Sequence, residues 1–305
     1  MEKSDNLLSR LNQYYHTFSK GQKRLAAYIT DNYDKAVFLT AAKLGKQAGV
    51  SESTAVRFAT SLGYSGFPEF HRALEELVRN KLNSIQRMEV TYGSVPQSKI
   101  LETVLHSDIE KIKVTLEDID REAFYLAIDT LLKAKNIYII GIRSSAPLAN
   151  FLKFYLNLIF DHVTLIQANG SSDIFEQMIR IGEDDVLFGI SFPRYSMRTL
   201  KALEFANNRN AKVITLTDSI HSPMNLYSSC NLIAKSDMAS IVDSLVAPLS
   251  VMNALVVALC MKKQDEVIGT LESLEQIWDE YQVYSKDEMN YVDDGKIEIH
   301  FPKKS

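Results

Sequence analysis

The chain is poor in the features that would commit it to metal, disulfide or membrane. It has only two cysteines, Cys230 and Cys260, in apolar or loop surroundings and without metal-ligand spacing. That excludes a disulfide framework and makes a reducing cytoplasm the expected compartment. No metal and no cofactor are called for. The start, MEKSDNLLSRLNQYY, lacks an apolar signal core. Long hydrophobic runs are scarce as well. The most apolar window, Ile241 to Met261, contains Asp243 and Pro248, so it reads as a buried or interface helix rather than a membrane span. A large excess of one charge is also missing, since the net charge is −4 over 305 residues. The charge is unevenly spread, however. Residues 1–87 hold 13 Lys+Arg against 8 Asp+Glu, and the remainder 21 against 30. A mildly basic N-terminal part on an acidic body suits a small DNA-reading module joined to something else.

What is present begins with Thr40 to Gly63, TAAKLGKQAGVSESTAVRFATSLG. It reads as two short helices and a tight turn. Leu44, Ala48 and Val50 pack inward, Gly45 allows close approach of the second helix, and Gly49 supplies the positive φ that ends the first. Ser51 is an N-cap for a helix to about Leu62, with Gly63 just beyond. Ala55, Phe58, Ala59 and Leu62 share one inward face at helical spacing. Arg57 points away from it, flanked by Ser53 and Thr60, with Thr54 and Ser61 at the edges. A short helix showing Ser51, Ser53, Thr54, Arg57, Thr60 and Ser61 to solvent suits a DNA major groove. The plainer reading is a helical hairpin with a solvated polar face.

Around this pair the N-terminal part is all helix. Ser19-Lys20-Gly21-Gln22 is a capping-box pattern opening a helix to about Asn32, with Leu25, Tyr28 and Ile29 inward. Val37 and Phe38 bridge to the helix pair. Pro68 starts a further helix through Phe70, Leu74, Leu77 and Val78 to about Asn83. Turn and breaker residues in 84–98 mark a linker. Ile100, Val104, Leu105, Ile109, Ile112 and Leu116 then keep a helical period over Lys99 to Glu117. A helix at about Arg121 to Lys133 follows Asp120 as its cap. From there short β-branched runs, Ile137–Ile140, Val163–Ile166, Val186–Ile190 and Val213–Thr217, alternate with helical segments near 145–160, 172–181, 196–209 and 240–262. Leu232–Ala234 is a candidate fifth strand. The fold class is therefore α/β: an all-α domain (1–83), the linker, a doubly wound parallel-sheet domain (99–280) and a tail (281–305).

In such sheets ligands bind beyond the carboxyl ends of the strands. There the first strand leads into Gly141-Ile142-Arg143-Ser144-Ser145 and the third into Ser191-Phe192-Pro193-Arg194-Tyr195-Ser196. Both loops put hydroxyls at a helix start, where backbone N–H groups and the dipole favour a phosphate. Arg143 and Arg194 add charge-assisted donors. A third loop, Thr217 to Pro223, lies along the same edge. Neither GxGxxG nor GxxxxGK[ST] occurs there, which disfavours dinucleotides and nucleoside triphosphates. No general base stands in either phosphate loop. Asp173, Glu176 and His221 are the nearby candidates, each with an ordinary surface or capping role, which tilts the body towards sensing rather than catalysis.

These stretches resemble the RpiR family of bacterial transcriptional regulators, over nearly the whole chain to about Lys263. AAKLGKQAGVSESTAVRFATSLGYSGFPEF, with its Gly-Tyr-x-x-Phe ending, is similar to the family's helix-turn-helix domain. The body resembles the sugar isomerase (SIS) domain, a phosphosugar-binding fold. Ser144 and Ser145 match its first phosphate loop, Ser191 and Ser196 the ends of its second, commonly S-x-S-G-x-[ST]. AKVITLTDSIHSP also matches a family stretch. Two departures stand out: Arg143 replaces a common Gly, and Pro193-Arg194 replaces Ser-Gly. The resemblance implies a regulator of carbohydrate metabolism that binds operator DNA and takes a sugar phosphate as effector. Because one helix pair reads only a few base pairs, a homodimer or higher oligomer is expected, and no catalytic residues are assigned. The alternative is a sugar-phosphate isomerase with an accessory helical domain.

Overall fold

The computed structural model describes residues 7–37, 39–81, 97–167, 173–236 and 243–284. Most of the expected linker, most of the tail, Phe38 and Asn83 lie outside them. The N-terminal part comprises α1 (Leu7–Tyr14), α2 (Lys20–Asp31), the short α3 (Tyr33–Ala36), α4 (Ala41–Gln47), α5 (Glu52–Ser61) and α6 (Phe67–Lys81). Ser19 closes a capping box with Gln22 at the start of α2. Thr40 and Ser51 cap α4 and α5 through side-chain oxygens. Gly49 and Gly63 take φ of 67° and 86°, the left-handed values that end a helix. A Cβ on Gly45 would stand 3.0 Å from the Val50 carbonyl oxygen, so any side chain there would press the α4–α5 turn apart. One core joins these helices. Phe18, Phe58 and Phe70 stack edge to face within it at centroid distances of 5.1 and 5.9 Å. Helix α1 contributes Leu7 and Leu11 to that core, and its Arg10 guanidinium donates 3.1 Å to the Leu62 carbonyl at the end of α5.

The body opens with α7 (Ile100–Asp118) and α8 (Arg121–Lys133), the latter capped by Asp120. Five parallel strands follow: β1 (Ile137–Gly141), β2 (Val163–Leu165), β3 (Val186–Ile190), β4 (Lys212–Thr217) and β5 (Cys230–Ile233). Between and after them run α9 (Ala146–Leu156), α10 (Asp173–Gln177), α11 (Met197–Asn207), α12 (Val246–Lys262) and α13 (Gln264–Glu280). The strand order is β2-β1-β3-β4-β5. β1 and β3 are buried throughout, as a sheet covered on both faces requires. Alternate residues serve opposite cores. Ile137, Ile139, Phe188 and Ile214 pack with α8, α9 and α12, while Tyr138, Ile140, Leu187 and Val213 pack with α10 and α11.

Several expectations are adjusted. The segment near 172–181 is helical only over Asp173–Gln177, the last helix of the sheet begins at Val246, and α13 was not anticipated. The larger surprise is α7. Its buried positions are Lys111 and Thr115, whereas Leu101, Leu105, Ile109, Ile112 and Leu116 are exposed, Leu101 by 70% and Leu116 by 66%. Lys111 is held by Ser107 Oγ at 2.6 Å, Asp108 receives the Ser244 hydroxyl at 2.6 Å, and Thr115 Oγ1 receives the Lys235 N–H at 3.0 Å. Polar contacts thus fasten α7 to the body and turn its apolar stripe outward. Cys230 and Cys260 are both free thiols. Burial pushes Cys230 up to about 11, so it stays protonated and inert. No single helix among the described residues is long and apolar enough to cross a membrane, although the bent pair α12–α13 matches one in length and composition.

Candidate functional site

Two regions gather the residues singled out above. The first is the outer side of α5. Ser51, Ser53, Arg57, Thr60 and Ser61 are exposed and Thr54 is half-buried, while Ala55, Phe58, Ala59 and Leu62 are buried. The roles within this set differ. Ser51 is occupied as the cap, its oxygen 3.3 Å from the Thr54 N–H. Ser61 donates to the Phe58 carbonyl at 2.8 Å and receives Gln22 Nε2 at 3.1 Å, so it ties α2 to α5. Thr60 donates to the Arg57 carbonyl at 2.9 Å. Arg57 lies back along its own helix, Nε donating to the Ser53 carbonyl at 3.2 Å, a contact that an incoming base or phosphate can replace. A groove of about 520 Å³ opens beside these residues, lined by Ser19, Gly21, Gln22, Arg24, Val50, Ser51, Thr54 and Arg57. The sequence reading did not foresee that the first turn of α2 and Arg24 share this face. Nothing in their local spacing marks it, because the approach depends on how α2 crosses α5.

The second region is the carboxyl edge of the sheet. The connection from β1 runs to β2 on one side, while β3 pairs with β1 on the other, with Gly141 opposite Ile190. The order therefore reverses between β1 and β3, and a crevice opens where chain departs in opposite directions. The loops carrying Arg143, Ser144 and Ser145 and carrying Ser191, Arg194 and Ser196 leave from the two strands flanking that reversal. Gly141 is required there: a Cβ would meet the Ser145 carbonyl oxygen at 2.7 Å and Ala149 Cβ at 2.9 Å. The first loop turns through a short 3-10 segment, Arg143–Ser145, before α9, and no side chain caps that helix. Ser144 is exposed and Ser145 buried. Capping is thus not what these two hydroxyls do.

In the second loop Ser191 Oγ accepts the Ser196 N–H at 3.2 Å, and Ser196 Oγ accepts the Thr199 N–H at 3.4 Å to cap α11. Each hydroxyl is used as an acceptor and keeps its own proton to donate. Thr199 in that first turn is fully buried, and its Oγ1 has no hydrogen-bond partner among the described residues. The sequence reading missed Thr199, though a Ser and a Thr three apart at a helix start is a readable signal. It also missed that Tyr195 donates to Asp218 Oδ1 at 2.8 Å, which ties this loop to the buried end of β4. Arg143 and Arg194 both adopt left-handed backbone, with φ of 59° and 64°, and both side chains are exposed. The positions where the family pattern favours glycine are thus positions where the backbone demands it, yet arginine stands at each. Glu176 and His221, the candidate bases, are exposed, and Asp173 is half-buried.

Two family models match this chain. The model of the helix-turn-helix domain of the rpiR family matches residues 5–81, and that of the SIS domain matches residues 130–258. An uncharacterized HTH-type transcriptional regulator of Haemophilus influenzae is 26% identical over 277 residues, covering 88% of this chain and 94% of the relative. The sugar isomerase domain of an RpiR transcription factor from Sphaerobacter thermophilus superposes with a TM-score of 0.56 at 25% identity, covering 58% of this chain and 99% of that one. The Vibrio vulnificus NanR protein, solved in complex with ManNAc-6P, gives a TM-score of 0.55 at 23% identity, covering 89% of this chain and 99% of that one.

Proposed function

Because the chain belongs to the RpiR family of helix-turn-helix transcriptional regulators with a SIS domain, we propose that it is a dimeric, cytoplasmic operator-binding protein whose DNA affinity is set by a sugar phosphate. In this reading residues 1–83 meet DNA, 84–98 join them to the body at 99–280, and 281–305 form a tail. The reading is carried by the set of hydroxyls at the strand-order reversal. Ser144, Ser145, Ser191 and Ser196 stand on the two loops flanking it, next to the starts of α9 and α11, which suits a phosphate oxyanion. The NanR complex with ManNAc-6P supports a phosphosugar as the occupant.

On the DNA side, Arg57, Ser53 and Thr60 reach bases, Thr54 stands at the groove edge, and Ser51 and Ser61 hold α5 in place. One helix of this length reads only a few base pairs, so a two-fold dimer supplies the second half-site. The exposed stripe Leu101, Leu105, Ile109, Ile112 and Leu116 on α7 is the face we assign to that pairing. Catalysis forms no part of the proposal, because neither phosphate loop carries a carboxylate or imidazole to act as general base. Fluorescence anisotropy with DNA from upstream of the gene, with and without a panel of sugar phosphates, tests the whole reading. Saturable binding that one phosphosugar shifts, with no aldose–ketose conversion, supports it. Isomerisation without DNA binding would replace it with the enzyme.

A further inference from the structure

Among the described residues, four that are not glycine have positive φ: Arg143, Arg194, Asn210 and Gln282. Asn210 has a local reason, since asparagine tolerates the left-handed region. Gln282 follows the end of α13, outside any site. The two arginines occupy matching places on the loops that flank the β1–β3 reversal. At both, glycine would meet the backbone demand without strain, so what arginine adds is its side chain. Observed strain of this kind, gathered at one site, is a pointer to function.

The hydroxyl set and the two helix starts already provide donors enough for one phosphate group. Both arginines are exposed, so neither is packed away inside its loop. The Arg143 carbonyl accepts the Ala146 N–H, but no side-chain hydrogen bond or ion pair joins Arg143 to another described residue. The buried Asp218 carboxylate receives the hydroxyls of Tyr195 at 2.8 Å and Thr217 at 3.3 Å. A guanidinium presents a planar fork of donors that matches a carboxylate or phosphate two-for-two.

Resting on the sugar-phosphate reading above, we infer that Arg143, with Arg194 across the crevice, selects an effector bearing a second acid group: a phosphorylated sugar acid or a sugar bisphosphate rather than a neutral or amino-sugar monophosphate. The phosphate sits on the serine loops, and the second acid group at the far end of the sugar meets the arginine rim.

Calorimetry on the full chain tests this with four probes: glucose 6-phosphate, N-acetylglucosamine 6-phosphate, 6-phosphogluconate and fructose 1,6-bisphosphate. The wild type should bind at least one of the last two more tightly than either monophosphate. Which of the two wins tells carboxylate from phosphate. Arg143→Gly, whose backbone suits glycine, should weaken that probe about 10- to 100-fold, the worth of a hydrogen bond between charged groups, and change the monophosphates by less than about 3-fold. Unaltered or higher thermal midpoint of the ligand-free variant establishes that it folds. Tightest binding of a monophosphate, or an equal loss for all four probes in Arg143→Gly, overturns the inference while leaving the sugar-phosphate reading intact. Binding of none of the four overturns both.

Discussion

Arg143→Gly carries a second consequence that runs against intuition: removal of a site residue should stabilise the ligand-free protein. The left-handed conformation at φ 59° costs an L-residue with a Cβ about 1–2 kcal/mol, and glycine removes that cost. Glycine also gives the unfolded chain more freedom, which works in the other direction by about 0.4–1 kcal/mol. No other term of size enters, because the side chain is exposed and makes no hydrogen bond or ion pair with a described residue. The balance is a gain of about 1 kcal/mol or slightly less. Trp278 is the single tryptophan and lies on α13, which packs against α12, so its fluorescence reports unfolding of the body. With a urea dependence of about 2–3 kcal/mol per molar, the midpoint should rise by about 0.3–0.5 M. A midpoint that falls would refute the reasoning, for it would mean that the guanidinium stabilises the loop and that the strain is not held for a ligand.

Three further outcomes are expected. Arg57→Ala should weaken operator binding by about 1–3 kcal/mol and relax preference at one or two base positions; equal losses on operator and random DNA, measured by anisotropy, would reduce Arg57 to a phosphate contact. Placing charge on the exposed face of α7 with the double substitution Leu105→Glu, Ile109→Glu should turn a dimer into a monomer in sedimentation while leaving the fold intact, since both side chains are about half exposed already; an unchanged sedimentation coefficient would move the interface elsewhere. Ser191→Ala removes the acceptor that holds the Ser196 N–H and a donor to the phosphate, so the effector's influence on DNA binding should be lost in the same anisotropy assay; a full response would rule out this loop as the phosphate site.

The helix-turn-helix unit was legible in nearly every detail because local chemistry settles it. Gly49 and Gly63 need positive φ, Ser51 needs an N–H to cap, and Phe58 and Leu62 must leave water together; all of these are decided within a few residues. The alternation of β-branched runs and helices likewise announced the parallel sheet, and with it the carboxyl edge at which such sheets place ligands. What sequence alone did not yield depends on partners distant in the chain. The period of Leu105, Ile109, Ile112 and Leu116 says that one face of α7 is apolar, but not that Lys111 and Thr115 would be its buried positions, with Asp108 and Thr115 bonded to Ser244 and Lys235 of the body. The Tyr195–Asp218 link escaped notice for the same reason, since its significance appears only once β3 and β4 lie side by side. The departures at Arg143 and Arg194 were visible as substitutions. Their backbone conformation, which gives them physical weight, was not.

The central claim is that one chain couples DNA on α5 to a sugar phosphate at the β1–β3 crevice. Its most direct test is a pair of titrations on the wild-type protein: operator affinity with and without the saturating phosphosugar, and phosphosugar affinity with and without saturating operator. The account predicts that both ratios differ from one and equal each other, because coupling between two sites on one molecule is reciprocal. A sugar phosphate that binds in the crevice yet leaves operator affinity untouched would contradict it.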